Sequence, residues 1–300
     1  MTRRDRFRHQ RLPSTDARYE RVEACEVCDS QPSSHALLFW KYGTPVVRCS
    51  VCSLVFASPR WTSEHLFKRY RDPEYWTHYA ETIRATAFDP VANQARWDPS
   101  LELFAAERGE GRLLDVGCAT GEFLAAAKAR GWQAHGVEAS EIAAAHARES
   151  HGVDVHTGTL EDVRFPDASF DVVTMWDVIE HLQHPRAVVE RVARLLRPGG
   201  LLGLTTPNIG SLRYYVQGRR WWVVGPNEHI FYFSPATVDR LLRRCGFDVT
   251  HIDTFGPHVG GHGWPRVFRP VAGAARRALR AATRRGLLGD ELQVVARRMN

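Results

Sequence analysis

The stretch Leu113-Leu-Asp-Val-Gly-Cys-Ala-Thr-Gly121, followed by Gly136-Val-Glu138, constrains the fold of this 300-residue chain more than any other feature. An apolar run, a turn flanked by two glycines, a set of helix formers and a second apolar run ending in an acid read as strand, turn, helix and strand. The alternation continues. Strands are predicted at Arg112–Val116, Trp132–Glu138, Val153–Thr157, Phe170–Met175, Leu201–Thr206, Phe247–Asp253 and Leu292–Arg297, and helices at Gly121–Arg130, Ser140–Glu149, Pro185–Leu196 and Pro235–Cys245. Ser140 and Ser234 stand where N-caps belong, and Gly131 and Gly246 where C′ glycines belong. Strands that alternate with helices imply an α/β fold, a doubly wound sheet with helices on both faces.

In such sheets ligands sit at the carboxyl ends of the strands. Gly117 and Gly121 flank the first turn there, and Glu138 closes the second strand, 21 residues after Gly117. A carboxylate at that place can accept from both hydroxyls of a ribose. A dinucleotide fingerprint wants Gly-x-Gly-x-x-Gly, but its positions hold Gly117, Ala119 and Glu122. Glu122 would also repel a pyrophosphate. The turn therefore suits an adenosine-type cofactor without phosphates.

These residues resemble the first motif of class I S-adenosylmethionine-dependent methyltransferases, over about residues 100–256 and the last ten. Gly158-Thr-Leu-Glu-Asp162 resembles the segment beside the adenine, Phe165–Asp171 the lead-in to the fourth strand, Leu195–Gly200 the turn before the fifth, and Gly289–Arg297 an antiparallel seventh strand. The resemblance implies a seven-stranded sheet with its last strand antiparallel, and S-adenosyl-L-methionine as cofactor. It places that cofactor on Asp115, Gly117, Cys118, Ala119, Gly121, Phe123, Glu138, Ala139, Leu160, Glu161 and Trp176. One departure is Thr159, where the family often has an acid, so adenine recognition passes to Glu161, Asp162 or backbone groups.

Four of the six cysteines form Cys25-x-x-Cys28 and Cys49-x-x-Cys52, with 20 residues between the pairs. Two such pairs read as a zinc ribbon, and four thiolates leave no open position, so the zinc expected is structural. Cys118 and Cys245 read as turn and helix-end residues. The expected organisation is a basic tail over 1–20, the ribbon over 21–60, a helical lid segment over 61–108, the cofactor-binding core over 109–256 and 290–300, and a basic helical insert over 257–289.

Asp177-Val-Ile-Glu-His181 follows the fourth strand, and Asn227-Glu-His229 precedes the helix from Pro235. Both belong to loops at the cofactor edge, so His181 and His229 are expected to converge. A neutral histidine is the natural proton acceptor near neutral pH. The chain also resembles sugar C-methyltransferases, which carry a four-cysteine module before the cofactor domain. That resemblance implies a catalytic set of His229, Glu228 and His181, with Asn208 and Tyr75 or Tyr79. A second resemblance, to small-phenol and RNA-end O-methyltransferases, implies a divalent metal on Asp177, Glu180, His181 and His229. Trp221 and Trp222 are read either as a substrate platform or as packing and membrane-facing residues.

The net charge of +6 is uneven: residues 1–12 carry five Arg and one Asp, and residues 266–286 carry seven Arg and no acid. Basic segments of this kind are solvated faces or meet anionic partners, and 266–286 is a candidate for peripheral membrane contact. Only Lys41 and Arg48 are basic between the two cysteine pairs. That argues against a nucleic-acid surface on the ribbon. The N-terminus lacks the apolar core of a signal peptide, so a cytoplasmic location is expected. The function expected is methylation of a small molecule or a sugar or glycan precursor, at carbon or oxygen. The alternatives are a metal-assisted O-methyltransferase, a nucleic-acid or protein methyltransferase, and a non-catalytic cofactor-binding scaffold.

Overall fold

The computed structural model describes residues 16–78, 90–255 and 289–300. It begins with a cysteine-bearing module: β1 (Tyr19–Glu20), β2 (His35–Lys41), β3 (Thr44–Cys49), β4 (Val55–Ala57) and β5 (Arg60–Trp61). A tight hairpin joins β2 to β3, with Tyr42 and Gly43 both at positive φ (52° and 80°), as a right-twisted ribbon requires. β1 pairs antiparallel with β5, so the basic tail gives way to structure before residue 21. Among the described residues three helices follow: α1 (Ser63–Tyr70), α2 (Pro73–His78) and α3 (Pro90–Ala106). Thr62 caps α1 by accepting from the His65 N–H. Pro73 and Pro90 open helices, as proline at a first position allows. Pro99 lies inside α3, although proline removes a donor and disfavours a helix interior.

The remaining elements alternate as expected: β6 (Arg112–Val116), α4 (Glu122–Ala129), β7 (Gln133–Glu138), α5 (Glu141–His151), β8 (Asp154–Thr157), β9 (Phe170–Trp176), α6 (Pro185–Leu195), β10 (Leu196–Pro207), α7 (Leu212–Gln217), β11 (Phe231–Tyr232), α8 (Pro235–Arg244), β12 (Phe247–Phe255) and β13 (Glu291–Arg298). Ser140 and Ser234 cap α5 and α8 through their hydroxyls. The seven-stranded sheet runs β12-β13-β10-β9-β6-β7-β8, with β13 antiparallel to both neighbours and the other described pairings parallel. The central strands are buried along their length because helices cover both faces.

A second sheet, ordered β11-β4-β3-β2, carries the decisive connection. β11 lies just after His229, yet it pairs with β4 of the cysteine module. One buried cluster joins Val22, Val27, Leu54 and Phe56 of that module to Ile179, Val188, Phe231 and Phe233 of the core. The cysteine module shares its core with the larger sheet and does not form a separate hydrophobic unit.

Candidate active site

The carboxyl ends of β6, β7 and β9 open on a cavity of about 920 Å³. The β6–α4 turn makes one wall. Gly117 has φ +73°, and a Cβ there would stand 2.6 Å from Val178. Ala119 adopts a left-handed φ of 46°, which costs a non-glycine residue about 1–2 kcal/mol. Gly121 caps α4 at φ +86°, where a Cβ would lie 2.7 Å from that of Ala147. Gly121 thus packs α4 against α5 and does not line the cavity, unlike Gly117, Cys118, Ala119 and Phe123.

Glu138 stands beneath this turn. Its Oε2 accepts from the Ala119 N–H at 3.0 Å and its Oε1 from the Ser140 N–H at 2.8 Å. The carboxylate therefore positions the loop and faces the cavity at once. Asp115 is buried, accepts from the Thr174 hydroxyl at 2.7 Å, and has its pKa pushed up to about 8 by burial. Burial also raises Glu138. Ala139, Leu160, Glu161 and Trp176 line the same wall, with Trp176 edge-on to Phe123 at 5.1 Å. Asp162 turns inward on its own loop and accepts from the Thr159 N–H and hydroxyl at 2.8 Å. It does not line the cavity, which leaves Glu161 as the acid that this loop presents to the cavity.

The opposite wall is built around two histidines. His181 lies in a short 3-10 turn (Ile179–His181) after β9. Its Nδ1 stands 2.9 Å from the Glu228 carbonyl and 2.9 Å from the Tyr70 hydroxyl. A carbonyl only accepts, so its partner Nδ1 is assigned the proton and Nε2 is left basic. His229 repeats the device: its Nδ1 donates to the Val223 carbonyl at 2.8 Å. The two rings meet edge-on with centroids 4.7 Å apart. Burial pushes His181 down to about 3, with further lowering from His229, and burial lowers His229 as well. Both rings are neutral near pH 7.

The backbone of this wall is held from two sides. The Ile230 N–H donates to the Glu180 carbonyl at 2.9 Å, and the Ala57 N–H donates to the Ile230 carbonyl at 2.8 Å. Thr44, at the start of β3, donates its hydroxyl to the Asn227 amide oxygen at 3.0 Å. The cysteine module thereby fixes the His229 segment. Glu228 lines the cavity, but its carboxylate pairs with Arg69 at 2.5 Å, and the backbone carbonyls of Glu228 and Val223 orient the histidines. Glu180 is buried, its pKa raised well above the ordinary range by burial and by Asp177. Its Oε2 has no hydrogen-bond partner among the described residues. One ligand atom from each of Glu180, His181 and His229 falls within 4.8 Å of the others.

Tyr75 lines the cavity and packs edge-on to Tyr70 at 5.5 Å, whereas Tyr79 lies outside the described residues. Asn208 is buried behind the wall, where its amide bonds Gly289 and Gly210. Trp221 is fully buried with Val46, Val55 and Tyr232, while Trp222 is exposed at the mouth. The sequence reading missed Tyr70, Arg69 and Trp97. No motif marks them, and only the fold of α1 and α3 over the cavity brings them in.

The four cysteines of the module also converge. Their sulfurs lie within 4.8 Å of one another, with Cys25 to Cys52 at 3.4 Å and Cys28 to Cys49 at 3.6 Å. No pair is bonded as a disulfide. Each pair folds the same way: the residue after it, Asp29 or Ser53, has positive φ and returns its N–H to the carbonyl of Cys25 or Cys49 at 2.9 Å.

Residues 79–252, more than half of the chain, match the methyltransferase domain family. The chain belongs to the class I S-adenosylmethionine-dependent methyltransferases. It is 36% identical over 159 residues to a protein of Mycolicibacterium smegmatis named a probable S-adenosylmethionine-dependent methyltransferase, covering 52% of this chain and 58% of that one. It is 30% identical over 151 residues to a ubiquinone biosynthesis O-methyltransferase of Agrobacterium fabrum, covering 47% and 60%. The chain thus spans about three-fifths of these curated relatives. A solved S-adenosylmethionine-dependent methyltransferase from Archaeoglobus fulgidus shares the fold, with a TM-score of 0.53 at 21% identity over 76% of this chain and all of that one.

The cavity of this methyltransferase fits S-adenosylmethionine on its own evidence. The positive-φ turn at Gly117 and Ala119 gives a ligand close access to backbone. Glu122 lines the cavity near the helix start, where a phosphate would otherwise sit. The buried Asp115 and Glu138 carboxyls, both raised by burial, are stabilised by a ligand that carries positive charge. Beyond its backbone partners at Ala119, Ala139 and Ser140, the Glu138 carboxylate keeps lone-pair capacity that would suit ribose hydroxyls.

Proposed function

We propose that this methyltransferase methylates a small-molecule acceptor, a phenol-type hydroxyl in first place and a carbon acid in second, with His229 as the proton acceptor. The observation that carries the reading is the tautomer lock on His229: with Nδ1–H committed to the Val223 carbonyl, Nε2 is the basic nitrogen in a water-poor wall. Bound on the opposite wall, S-adenosylmethionine supplies a methyl group on a positively charged sulfur. His229 would take the acceptor's proton as the acceptor atom bonds the methyl and the methyl–sulfur bond breaks, the electron pair leaving on a neutral thioether, and His181, fixed by Glu228 and Tyr70, would hold the neighbouring ring edge-on. Tyr75 and the Trp176–Phe123 pair exclude water from the sides. Relatives named as O-methyltransferases of ubiquinone biosynthesis favour oxygen over carbon. His229→Ala is expected to keep cofactor affinity in calorimetry and to lower turnover by roughly 10²–10⁴-fold, the usual value of a general base. Wild-type turnover would remove His229 from the role.

The four cysteines are proposed to hold one structural zinc. Tetrahedral bonds of about 2.3 Å to sulfur put the sulfurs roughly 3.8 Å apart, and the Cys25–Cys52 and Cys28–Cys49 sulfurs stand 3.4 and 3.6 Å apart, within a few tenths of an ångström of that value. Here the ribbon's role is to hold β11, and through it His229.

A second reading has its own observation. Glu180, His181 and His229 form a two-histidine, one-carboxylate set, a donor combination suited to a divalent transition metal. Each histidine gives its other nitrogen to a backbone carbonyl, as metal ligands do. On this reading the cation acidifies the acceptor hydroxyl and no base is required. Turnover abolished by a chelator that leaves the cysteine-bound zinc in place, and restored by a divalent cation, decides for it.

A further inference from the structure

The segment from α7 to Trp222 presents an unusual surface. α7 has no buried residue. Tyr215 is 86% exposed, Val216 79% and Trp222 58%, with Leu212 exposed beside them. Arg219 and Arg220 are exposed in the intervening turn, and residues 208–227 contain three Arg and no acid. The platform beneath is rigid. Trp221 is fully buried, the Lys41 ammonium donates to its carbonyl at 3.0 Å, and Arg213 pairs with Asp290 at 2.9 Å. A fixed backbone thus turns large apolar groups outward.

We propose that Leu212–Trp222 is a docking surface for an anionic lipid bilayer, set so that the cavity mouth faces the membrane. Tyrosine and tryptophan flanked by arginine is the composition of a membrane–water interface, where rings sit at headgroup depth and guanidinium groups meet phosphates. Trp222 and the exposed Tyr42 both line the cavity, so the docking surface is continuous with the entrance. A second copy of the chain fits less well. A twofold contact through this patch would bring Arg219 and Arg220 near their own counterparts, with no acid in the segment to pair with them. No helix among the described residues is long and apolar enough to cross a membrane, so contact by this surface is peripheral.

The test is co-sedimentation of the full chain with vesicles of phosphatidylcholine alone and of phosphatidylcholine with about one quarter phosphatidylglycerol. The intact protein is expected to pellet with the anionic vesicles and to be released by high salt. Arg219→Gln with Arg220→Gln should weaken that binding by on the order of tenfold or more. Tyr215→Ser with Val216→Ser should weaken it comparably through lost apolar contact. None of these four residues lines the cavity, so calorimetric S-adenosylmethionine affinity should match the intact protein and certify the fold. Intact protein left in the supernatant with both vesicles overturns the proposal, as does equal pelleting by both double variants. A concentration-dependent dimer in ultracentrifugation that Tyr215→Ser with Val216→Ser abolishes, without vesicle binding, assigns the patch to a second copy instead. Sedimentation needs no turnover, so failure of His229 as a base would leave this result standing.

Discussion

The neutrality of His181 sets a measurable pH dependence of stability. Its pKa falls from 6.5 to about 3 on folding, first through burial and then through His229. Between those values the unfolded chain binds a proton that the native state refuses. Stability from this group is therefore complete above about pH 6.5 and declines as the pH falls toward 3. Each unit below 6.5 removes about 1.4 kcal/mol, which is about 1.4 kcal/mol at pH 5.5 and approaches roughly 5 kcal/mol at the lower limit. The perturbation is His181→Gln, which keeps a polar side chain on the Glu228 carbonyl and cannot titrate. Urea unfolding of both proteins at about pH 7.5 and about pH 5.5, with m-values checked for equality, yields four free energies. The cost of the substitution itself cancels in the double difference, as does most of the contribution from His229. The intact protein should lose about 1.4 kcal/mol more than the variant on acidification. An equal pH response in the two proteins would refute the argument that His181 is held neutral, and with it the claim that this wall presents basic imidazole nitrogens at neutral pH.

Other outcomes follow from single contacts. Glu138→Gln should weaken S-adenosylmethionine binding by roughly 10–100-fold, the worth of charged hydrogen bonds to ribose hydroxyls and loop amides, and calorimetry with unchanged affinity would remove Glu138 from the cofactor site. Gly121→Val places a β-branched residue at φ +86° with its Cβ 2.7 Å from that of Ala147. It should cost about 2–4 kcal/mol of stability, read as a lowered Tm, because strain and overpacking add. Metal analysis should find one zinc per chain, and Cys49→Ser should lose both the zinc and turnover, because β4 releases β11. Two disulfides and no metal would refute the zinc assignment.

The sheet was legible because its signals are local. The central strands β6, β9 and β10 carry apolar runs, and serine caps at 140 and 234 and C′ glycines at 131 and 246 fall where local hydrogen bonding requires. Boundaries moved by one to a few residues, most at β10, which starts at Leu196 through pairing with Phe170. The site was legible where spacing alone carries chemistry, as at Asp115, Gly117, Glu138 and the cysteine pairs. It was less legible where a role depends on what a side chain meets. Gly121 turned from ligand contact to helix packing because of Ala147. The Glu228 carboxylate turned from the histidines to Arg69. Pro99 failed to break α3 because local preference yields to tertiary burial of Trp97, Leu101 and Phe104.

By itself the sequence determined the alternation of strands and helices, the glycine turn and the two cysteine pairs, since each follows from the periodicity, capping and spacing of neighbouring residues; the antiparallel seventh strand was what the family resemblance implied, and the meeting of His181 with His229 followed from placing both loops at one edge of the sheet. Only the tertiary structure decided that the cysteine module is not a separate appendage. β11 pairs with β4, and Ile230 is held between Glu180 and Ala57. The β11–β4 pairing and the Ala57–Ile230 bond join residues more than 170 positions apart, and no local rule encodes them. They arise because β4 and β11 each leave backbone groups to satisfy, and Phe56 and Phe231 each leave a ring to bury.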